Sequence, residues 1–125
     1  MLQYVSETPE YLALETLVAI APDDKRVFDR LAKLVRLSSG QNSLQAVAFQ
    51  LLVPMRDVDK KQFNKIVIEA VGPKFPAEIR LAAMKVLPSL GKDAKPAIEV
   101  LRNAKGDGDG QIRAGAKAAL EAIEH

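Results

Sequence analysis

The stretch KGDGDGQIRAG at residues 105–115 comes closest to a metal site of any part of the sequence. A calcium-binding loop between two helices needs oxygen ligands at positions 1, 3, 5 and 9 and a bidentate glutamate at position 12. Asp107 and Asp109 fit positions 3 and 5, but Lys105 then occupies position 1 and Ala116 position 12. Because a cation and a methyl group replace two ligands, we expect no metal here. The sequence instead predicts a polar turn, in which glycine tolerates positive φ and aspartate caps the following helix.

Few other residues have the chemistry of a catalyst. His125 is the single histidine and the last residue, and cysteine is absent. The sequence therefore does not supply the side chains needed for zinc ligation, a thiolate nucleophile, a disulfide or a histidine-based triad. We expect a protein that is not an enzyme, with no catalytic residue, no cofactor and no metal.

The composition is that of a folded chain with an aliphatic core. Apolar residues make up 48% of the 125 residues and charged residues 27%, whereas aromatic residues make up only 5%. So few aromatic side chains are unfavourable for a base-stacking surface, and a net charge of +2 does not by itself indicate nucleic acid. No signal peptide is recognisable, and the apolar runs are shorter than the ~20 residues that span a bilayer. These features predict a cytoplasmic chain that does not enter a membrane.

The spacing of apolar residues predicts about seven helices and no strand. A proline after Thr8 opens the first helix, and Pro22 with two aspartates ends it. Pro88 is expected to kink the fifth helix because it lacks the N–H that would bond to the carbonyl of Met84. The predicted helices cover residues 8–20, 24–36, 42–55, 59–71, 77–90, 94–105 and 110–124.

Helix pairs recur along the chain with a period of about 35 residues. The segment LQAVAFQLL at 44–52 superposes on IRLAAMKVL at 79–87 with an offset of 35, and Phe28 then superposes on Phe63. The Ile79-Arg80 pair recurs after 33 residues as Ile112-Arg113. A single helix pair cannot bury its apolar face, whereas stacked pairs form a continuous core. The pattern therefore predicts three helix pairs followed by one extra helix.

The C-terminal part of this pattern is similar to a known family. Ile-Arg opens the first helix of a unit, an alanine-rich run follows, and LGKDA at 90–94 forms the turn within the unit. These features resemble HEAT repeats, in particular the bacterial HEAT-like repeats that also occur in phycobilisome lyases. The resemblance is good over 76–125, fair over 43–75 and weak over 1–42. It implies that Arg80 and Arg113 bond across neighbouring units, and it adds no catalytic residue.

Together, period and resemblance predict one all-α domain over residues 1–125. Its architecture would be a right-handed α-solenoid of antiparallel helix pairs with about 3.5 HEAT-like repeats. The predicted units are residues 8–41, 42–75 and 76–109, with a half unit at 110–125.

The second helix of each unit provides the candidate binding surface, since these helices line the concave side of HEAT-like stacks. Helical spacing turns Val27, Phe28 and Leu31, like Phe63, Ile66, Ile98 and Leu101, toward the core. The first helix, with Glu10 and Glu15, is expected to form an acidic outer wall. The basic residues directed away from the core are Arg26, Arg30, Lys33, Lys61, Lys65 and Arg102.

A mildly basic face of this kind is predicted to bind another protein, for example an acidic segment, although a merely solvated face has the same pattern. We therefore expect a non-catalytic scaffold for protein–protein interaction. Two alternatives remain open: a nucleic-acid-binding module of the same fold, and a structural or auxiliary segment of a larger protein, either lyase-like or associated with an enzyme.

Overall fold

The computed structural model describes residue 16, residues 18–36 and residues 42–124. Within these ranges the regular structure is entirely helical, and the prediction of an all-α fold is confirmed for them. Most of the predicted first helix lies outside the described ranges, as do Glu10, Glu15 and His125. No helix in the described part combines the length and apolar character needed to cross a bilayer.

The first compact unit comprises Met1–Lys60. Helix α1 spans Lys25–Arg36, helix α2 spans Asn42–Leu52, and a 3₁₀ segment spans Val53–Val58. The two α-helices pack against each other, and both contact the 3₁₀ segment. Phe28 and Leu31 on α1 and Phe49 and Leu52 on α2 are almost completely buried, so these large side chains form the core of this unit.

The second compact unit comprises Lys61–His125. Helix α3 spans Lys60–Ala70 and begins at the boundary between the two units, and helix α4 spans Ala77–Val86. A 3₁₀ segment at Leu87–Ala97 leads into α5, Ile98–Ala104, and α6 spans Gly110–Glu124. Helix α6 packs against α4, α5 and the 3₁₀ segment. Ile112, Ala116 and Leu120, which the sequence places on one face of α6, are buried.

Prolines set the ends of α2 and α4. Pro54 and Pro88 each stand in the first turn of a 3₁₀ segment, one residue after its start. Since proline has no N–H to donate to the carbonyl four residues earlier, the α-helical ladder cannot continue through it. The kink expected at Pro88 inside a longer helix is therefore wrong: α4 ends at Val86 instead. The helix predicted to reach residue 55 ends at Leu52 for the same reason.

The turn at LGKDA depends on Gly91. This residue has φ 62° and ψ −128°, a conformation in which a Cβ atom would be strained, and it interrupts the 3₁₀ segment. Beyond it, Ala94 and Ala97 are buried. Gly91 therefore breaks the 3₁₀ segment between α4 and α5.

Burial recurs with the offset of 35 residues. Helices α2 and α4 each bury an apolar residue followed directly by a polar one. The buried residues Leu44, Gln45, Ala48, Phe49 and Leu52 superpose on Ile79, Arg80, Ala83, Met84 and Leu87, all of them buried as well. The two helix faces therefore repeat in structure as well as in sequence.

The two buried polar residues make corresponding hydrogen bonds. Gln45 donates from Nε2 to the carbonyl oxygen of Val35, at 2.9 Å, near the C-terminus of α1. Arg80 donates from Nε to the carbonyl oxygen of Val71, at 3.2 Å, directly after α3. Carbonyl groups at a helix C-terminus lack intrahelical partners, and each of these donors satisfies one. A buried polar side chain thus attaches α2 to the end of α1 and α4 to the end of α3.

Candidate interaction surface

Helix α1 carries three of the six predicted surface cations. Asp24 caps the helix, since its Oδ1 accepts the backbone N–H of Arg26 at 2.7 Å and its carbonyl oxygen accepts the N–H of Phe28 at 3.1 Å. With Phe28 turned to the core, Arg26, Arg30 and Lys33 lie exposed on the opposite side. The spacing of four and then three residues places these cations in one stripe along the helix.

Two cations at the start of α1 are paired within the chain. The guanidinium of Arg26 contacts Asp24, with Nη2 and Oδ2 3.1 Å apart, and this hydrogen bond holds the pKa of the Asp24 carboxyl below its usual value. Lys25 Nζ lies 2.7 Å from Asp29 Oδ1 and 3.4 Å from Asp59 Oδ2. The bond to Asp29 is the main reason why the pKa of Lys25 is raised. Part of the positive charge of α1 is therefore offset locally.

Arg30 and Lys33 form the unpaired part of this stripe. Both side chains are exposed, and neither makes a hydrogen bond or ion pair with the residues that the structure describes. They stand three residues apart, so their charged groups leave the same side of the helix. On α1, these two cations are the ones free to contact a partner.

Helix α3 presents an equivalent surface in the second unit. Phe63 and Ile66 are completely buried, and Lys61 and Lys65 are exposed on the opposite side. Within the described part of the chain, neither lysine has a hydrogen bond or ion pair. An offset of 35 superposes Arg26 on Lys61 and Arg30 on Lys65, so the cations occupy corresponding positions in the sequences of α1 and α3.

Arg102 on α5 differs from the other predicted cations. Its side chain is exposed, but Nη2 lies 3.5 Å from Glu124 Oε2 on α6, and Nη1 lies 3.7 Å from Glu99 Oε2. The contact with Glu124 links α5 to α6, whereas Glu99 lies on α5 itself, and both carboxylates offset the charge of the guanidinium. Arg102 thus has a structural connection that the sequence pattern did not predict.

The sequence also missed a cation, Lys95. Ile98 was expected in the core, yet it is only partly buried, whereas Ala97 is completely buried. The burial pattern of α5 is therefore shifted by one residue, and there an offset of 34 fits the sequence better than 35. That offset superposes VPMRDVDKK at 53–61 on LPSLGKDAK at 87–95 and matches Lys61 with Lys95. Lys95 is exposed and unpaired.

The loop at residues 105–110 is an internally bonded turn. Asp107 Oδ2 accepts Arg80 Nη1 at 3.1 Å, and its Oδ1 accepts the backbone N–H of Asp109 at 2.9 Å. Asp109 Oδ1 in turn accepts the N–H of Gln111 at 2.8 Å, which caps α6. Arg113 Nη1 donates to the carbonyl oxygen of Asp107 at 2.7 Å. Both aspartates therefore have structural partners in the turn.

The same bonds determine the electrostatics of the loop. The N–H of Asp109, and secondarily the guanidinium of Arg80, hold the pKa of the Asp107 carboxyl below its usual value.

Within the described ranges, no group of three His, Cys, Asp or Glu side chains is arranged to hold a metal ion.

A shallow apolar groove of about 320 Å³ lies between α4 and α6. Gly115 allows the two helices to approach closely, since a Cβ there would lie 3.0 Å from Met84 Sδ and 3.1 Å from Leu81 Cδ2. Lys85 contributes the one charged side chain of its lining. No acid–base pair lies among these lining residues.

Comparisons of the chain with protein-family models, with curated proteins and with solved structures found no match.

Proposed function

We propose that this chain is a non-catalytic helical repeat protein that binds another protein through exposed cations on its second helices. The repeats would be HEAT-like units at residues 8–41, 42–75 and 76–109 with a half unit at 110–125, stacked as one right-handed α-solenoid. The observation that carries the repeat organisation is the pair of corresponding hydrogen bonds that Gln45 and Arg80 donate to the ends of the preceding helices.

The binding surface is supported by the unpaired cations. Arg30 and Lys33 on α1 and Lys61 and Lys65 on α3 are exposed, and none of them has a partner among residue 16, residues 18–36 and residues 42–124. An ion pair within the chain would fix a long charged side chain at a cost in conformational entropy. Because these four side chains are not fixed in this way, they remain available to a partner and can steer its approach. A protein partner fits better than nucleic acid because the net charge is only +2 and aromatic residues make up only 5% of the chain.

The test compares capture of a partner from the native lysate by three versions of the full chain. One is the parent chain, the second carries Arg30→Glu with Lys33→Glu, and the third carries Lys74→Glu with Lys117→Glu. The third is a matched control, because Lys74 and Lys117 are also exposed and unpaired and the charge change is the same. Bound proteins are identified by mass spectrometry after nuclease treatment.

The expected result is one protein retained by the parent and the control and lost from the α1 variant. Recovery that disappears with nuclease, together with an affinity that falls steeply with salt, would indicate a nucleic-acid-binding module instead. Equal capture by all three versions would contradict a role for the α1 cations.

A further inference from the structure

The loop at residues 105–110 contains two Asp-Gly bonds, Asp107–Gly108 and Asp109–Gly110. At such a bond the glycine nitrogen can attack the side-chain carboxyl carbon of the aspartate, because glycine has no side chain that hinders the approach. A C–N bond forms, the carboxyl hydroxyl group leaves with the amide proton as water, and the product is a five-membered succinimide ring.

Water then opens the ring at one of its two carbonyl groups. Attack at the side-chain carbonyl restores aspartate. Attack at the backbone carbonyl gives isoaspartate, in which the main chain runs through the side-chain carboxyl carbon. One water molecule is released and one is consumed, so the rearrangement needs no oxidant, cofactor or second protein.

Hydrogen bonds hold both reacting groups of the Asp107–Gly108 bond. The carboxylate accepts Arg80 Nη1 at 3.1 Å through Oδ2 and the backbone N–H of Asp109 at 2.9 Å through Oδ1. The carbonyl oxygen of Asp107 belongs to the same peptide group as the attacking nitrogen, and it accepts Arg113 Nη1 at 2.7 Å. Movement of the carboxyl carbon toward the nitrogen of Gly108 therefore requires some of these bonds to open.

Arg80 also opposes the reaction chemically. The ring forms from the neutral carboxylic acid, because an ionised carboxylate has no hydroxyl group that can leave as water. The N–H of Asp109 and the guanidinium of Arg80 stabilise the ionised form and hold the pKa of the Asp107 carboxyl below its usual value. A hydrogen bond between two charged groups is stronger than one between neutral groups, and the burial of Arg80 partly shields this one from solvent.

The remaining surroundings restrain Gly108 little. It is exposed, and apart from its chain neighbours no heavy atom lies within 4 Å of the position that a Cβ would take. The second bond is held differently, since Asp109 caps α6 and Gly110 is the first residue of that helix. Among the described residues, no cation forms an ion pair with Asp109. The guanidinium of Arg80 thus distinguishes the first Asp-Gly bond from the second.

We infer that Asp107–Gly108 is a latent site of isoaspartate formation and that Arg80 protects it in the folded chain. Isomerisation adds a methylene group to the main chain and displaces the carboxylate, so Arg80 loses its counterion. A buried guanidinium without a counterion is unfavourable, and the modified chain is therefore less stable. A transient opening of the contact between α4 and the loop becomes a lasting covalent change.

The test follows isomerisation of the full chain in water enriched in ¹⁸O, at neutral pH and physiological temperature. Each passage through the succinimide adds one ¹⁸O atom, and peptide mapping by mass spectrometry assigns this atom to Asp107 or Asp109. Electron-transfer fragmentation separates isoaspartate from aspartate at each position. The samples are the folded parent, the parent unfolded in guanidinium chloride, and the folded variants Arg80→Met and Gly91→Ala.

Gly91→Ala is the matched control, because it should destabilise the same unit while it alters neither the Arg80 side chain nor the loop. Asp107 should be labelled much more slowly in the folded parent than in the unfolded one. Arg80→Met should raise the rate at Asp107 about tenfold, the effect of losing one hydrogen bond between charged groups, whereas Gly91→Ala should leave it unchanged. Arg80→Lys, which keeps a cation, should retain part of the protection.

Equal labelling of Asp107 in the folded and the unfolded parent would overturn the inference, as would the parent rate in Arg80→Met. An equal rise in Gly91→Ala, or an equal rise at Asp109 in Arg80→Met, would also overturn it, because either result indicates a general opening of the loop. Circular dichroism verifies that the variants are folded. Should Arg80→Met not fold, Arg80→Lys and the comparison of the two parent samples decide.

Discussion

Replacing Arg80 by methionine is expected to destabilise the second unit far more than its position in an alanine-rich helix suggests. Arg80 is only 7% exposed, and it joins the end of α3 to the loop before α6 through Val71 and Asp107. Methionine retains most of the apolar volume but donates no hydrogen bond. The change therefore isolates the loss of the polar contacts.

The magnitude follows from the Val71 carbonyl group. A hydrogen bond from a charged donor contributes about 1.5–3 kcal/mol, and a buried acceptor left without a partner costs a similar amount. Asp107 loses its guanidinium partner as well, and this loss also lowers the free energy of unfolding. We expect the free energy of unfolding to fall by about 2–3 kcal/mol, which lowers the Tm by roughly 10 °C in a chain of this size.

The assay is urea unfolding of the full chain followed by far-UV circular dichroism, with Arg113→Met as the control. Arg113 is exposed and makes one hydrogen bond to the carbonyl oxygen of Asp107, so its removal should cost less than about 1 kcal/mol. Arg80→Lys should be intermediate, since one ammonium group cannot reproduce two divergent N–H donors. A cost for Arg80→Met no greater than that for Arg113→Met would refute the account of Arg80 as the joint between these helices.

Four further changes test other parts of the chain. Gly91→Ala should lower the free energy of unfolding by about 1–3 kcal/mol in chemical denaturation, because alanine is strained at φ 62° and ψ −128°. Asp109→Ala should lower the free energy of unfolding by about 1 kcal/mol, because α6 loses its cap. Millimolar calcium should leave the Tm of the parent and of this variant unchanged. A calcium-dependent rise in the Tm of the parent would contradict the interpretation of the loop as a turn without a metal. Lys61→Glu should raise stability by about 0.3–1 kcal/mol at low salt, with the gain abolished at high salt. The pKa values of Asp24 and Asp107 are lowered in the folded chain, so the ionised carboxylates stabilise the fold. This stabilisation is fully present above the unfolded-state pKa and is lost as the pH falls through the lower folded-state pKa. Thermal melts should therefore show a loss of stability in strongly acidic buffer, and Asp107→Asn should make that loss smaller.

The buried faces of α1 and α3 were predictable from the sequence. Phe28 and Leu31 on α1 recur as Phe63 and Ile66 on α3, and all four are completely buried. Aliphatic and aromatic residues at helical spacing leave one orientation that removes them from water, and that orientation exposes the cations between them. The exposure of all six candidate residues follows from this periodicity.

The C-terminal register was not predictable in the same way. Ile98 is a stronger hydrophobe than Ala97, so periodicity favours it for the core, yet the smaller residue is buried. Pro88 ends α4 early and Gly91 reverses the chain, and these two backbone constraints fix where the next helix starts. The match of Pro54 with Pro88 at an offset of 34 was the available signal.

Pairing of the surface cations depends on tertiary contacts. Arg102 meets Glu124, a residue 22 positions away, only because α5 packs against α6. Arg26 instead pairs with its own helix cap, Asp24, two residues earlier. Helical periodicity separates exposed from buried positions but does not distinguish a paired cation from a free one. Which of the six candidate cations are paired can therefore be read only from the folded structure.

The buried polar residues of α2 and α4 explain why Gln and Arg interrupt apolar runs at corresponding positions. A helix that packs against the end of its predecessor faces carbonyl groups that have no partner of their own, and an aliphatic residue there would leave one of them unsatisfied. Gln45 supplies an amide N–H to Val35, whereas Arg80 supplies a longer fork that reaches both Val71 and Asp107. This longer reach explains why Asp107 stands in the loop at residues 105–110, because a buried guanidinium requires a carboxylate nearby. The aspartates that gave the sequence the look of a calcium loop are thus the counterion of Arg80 and the cap of α6.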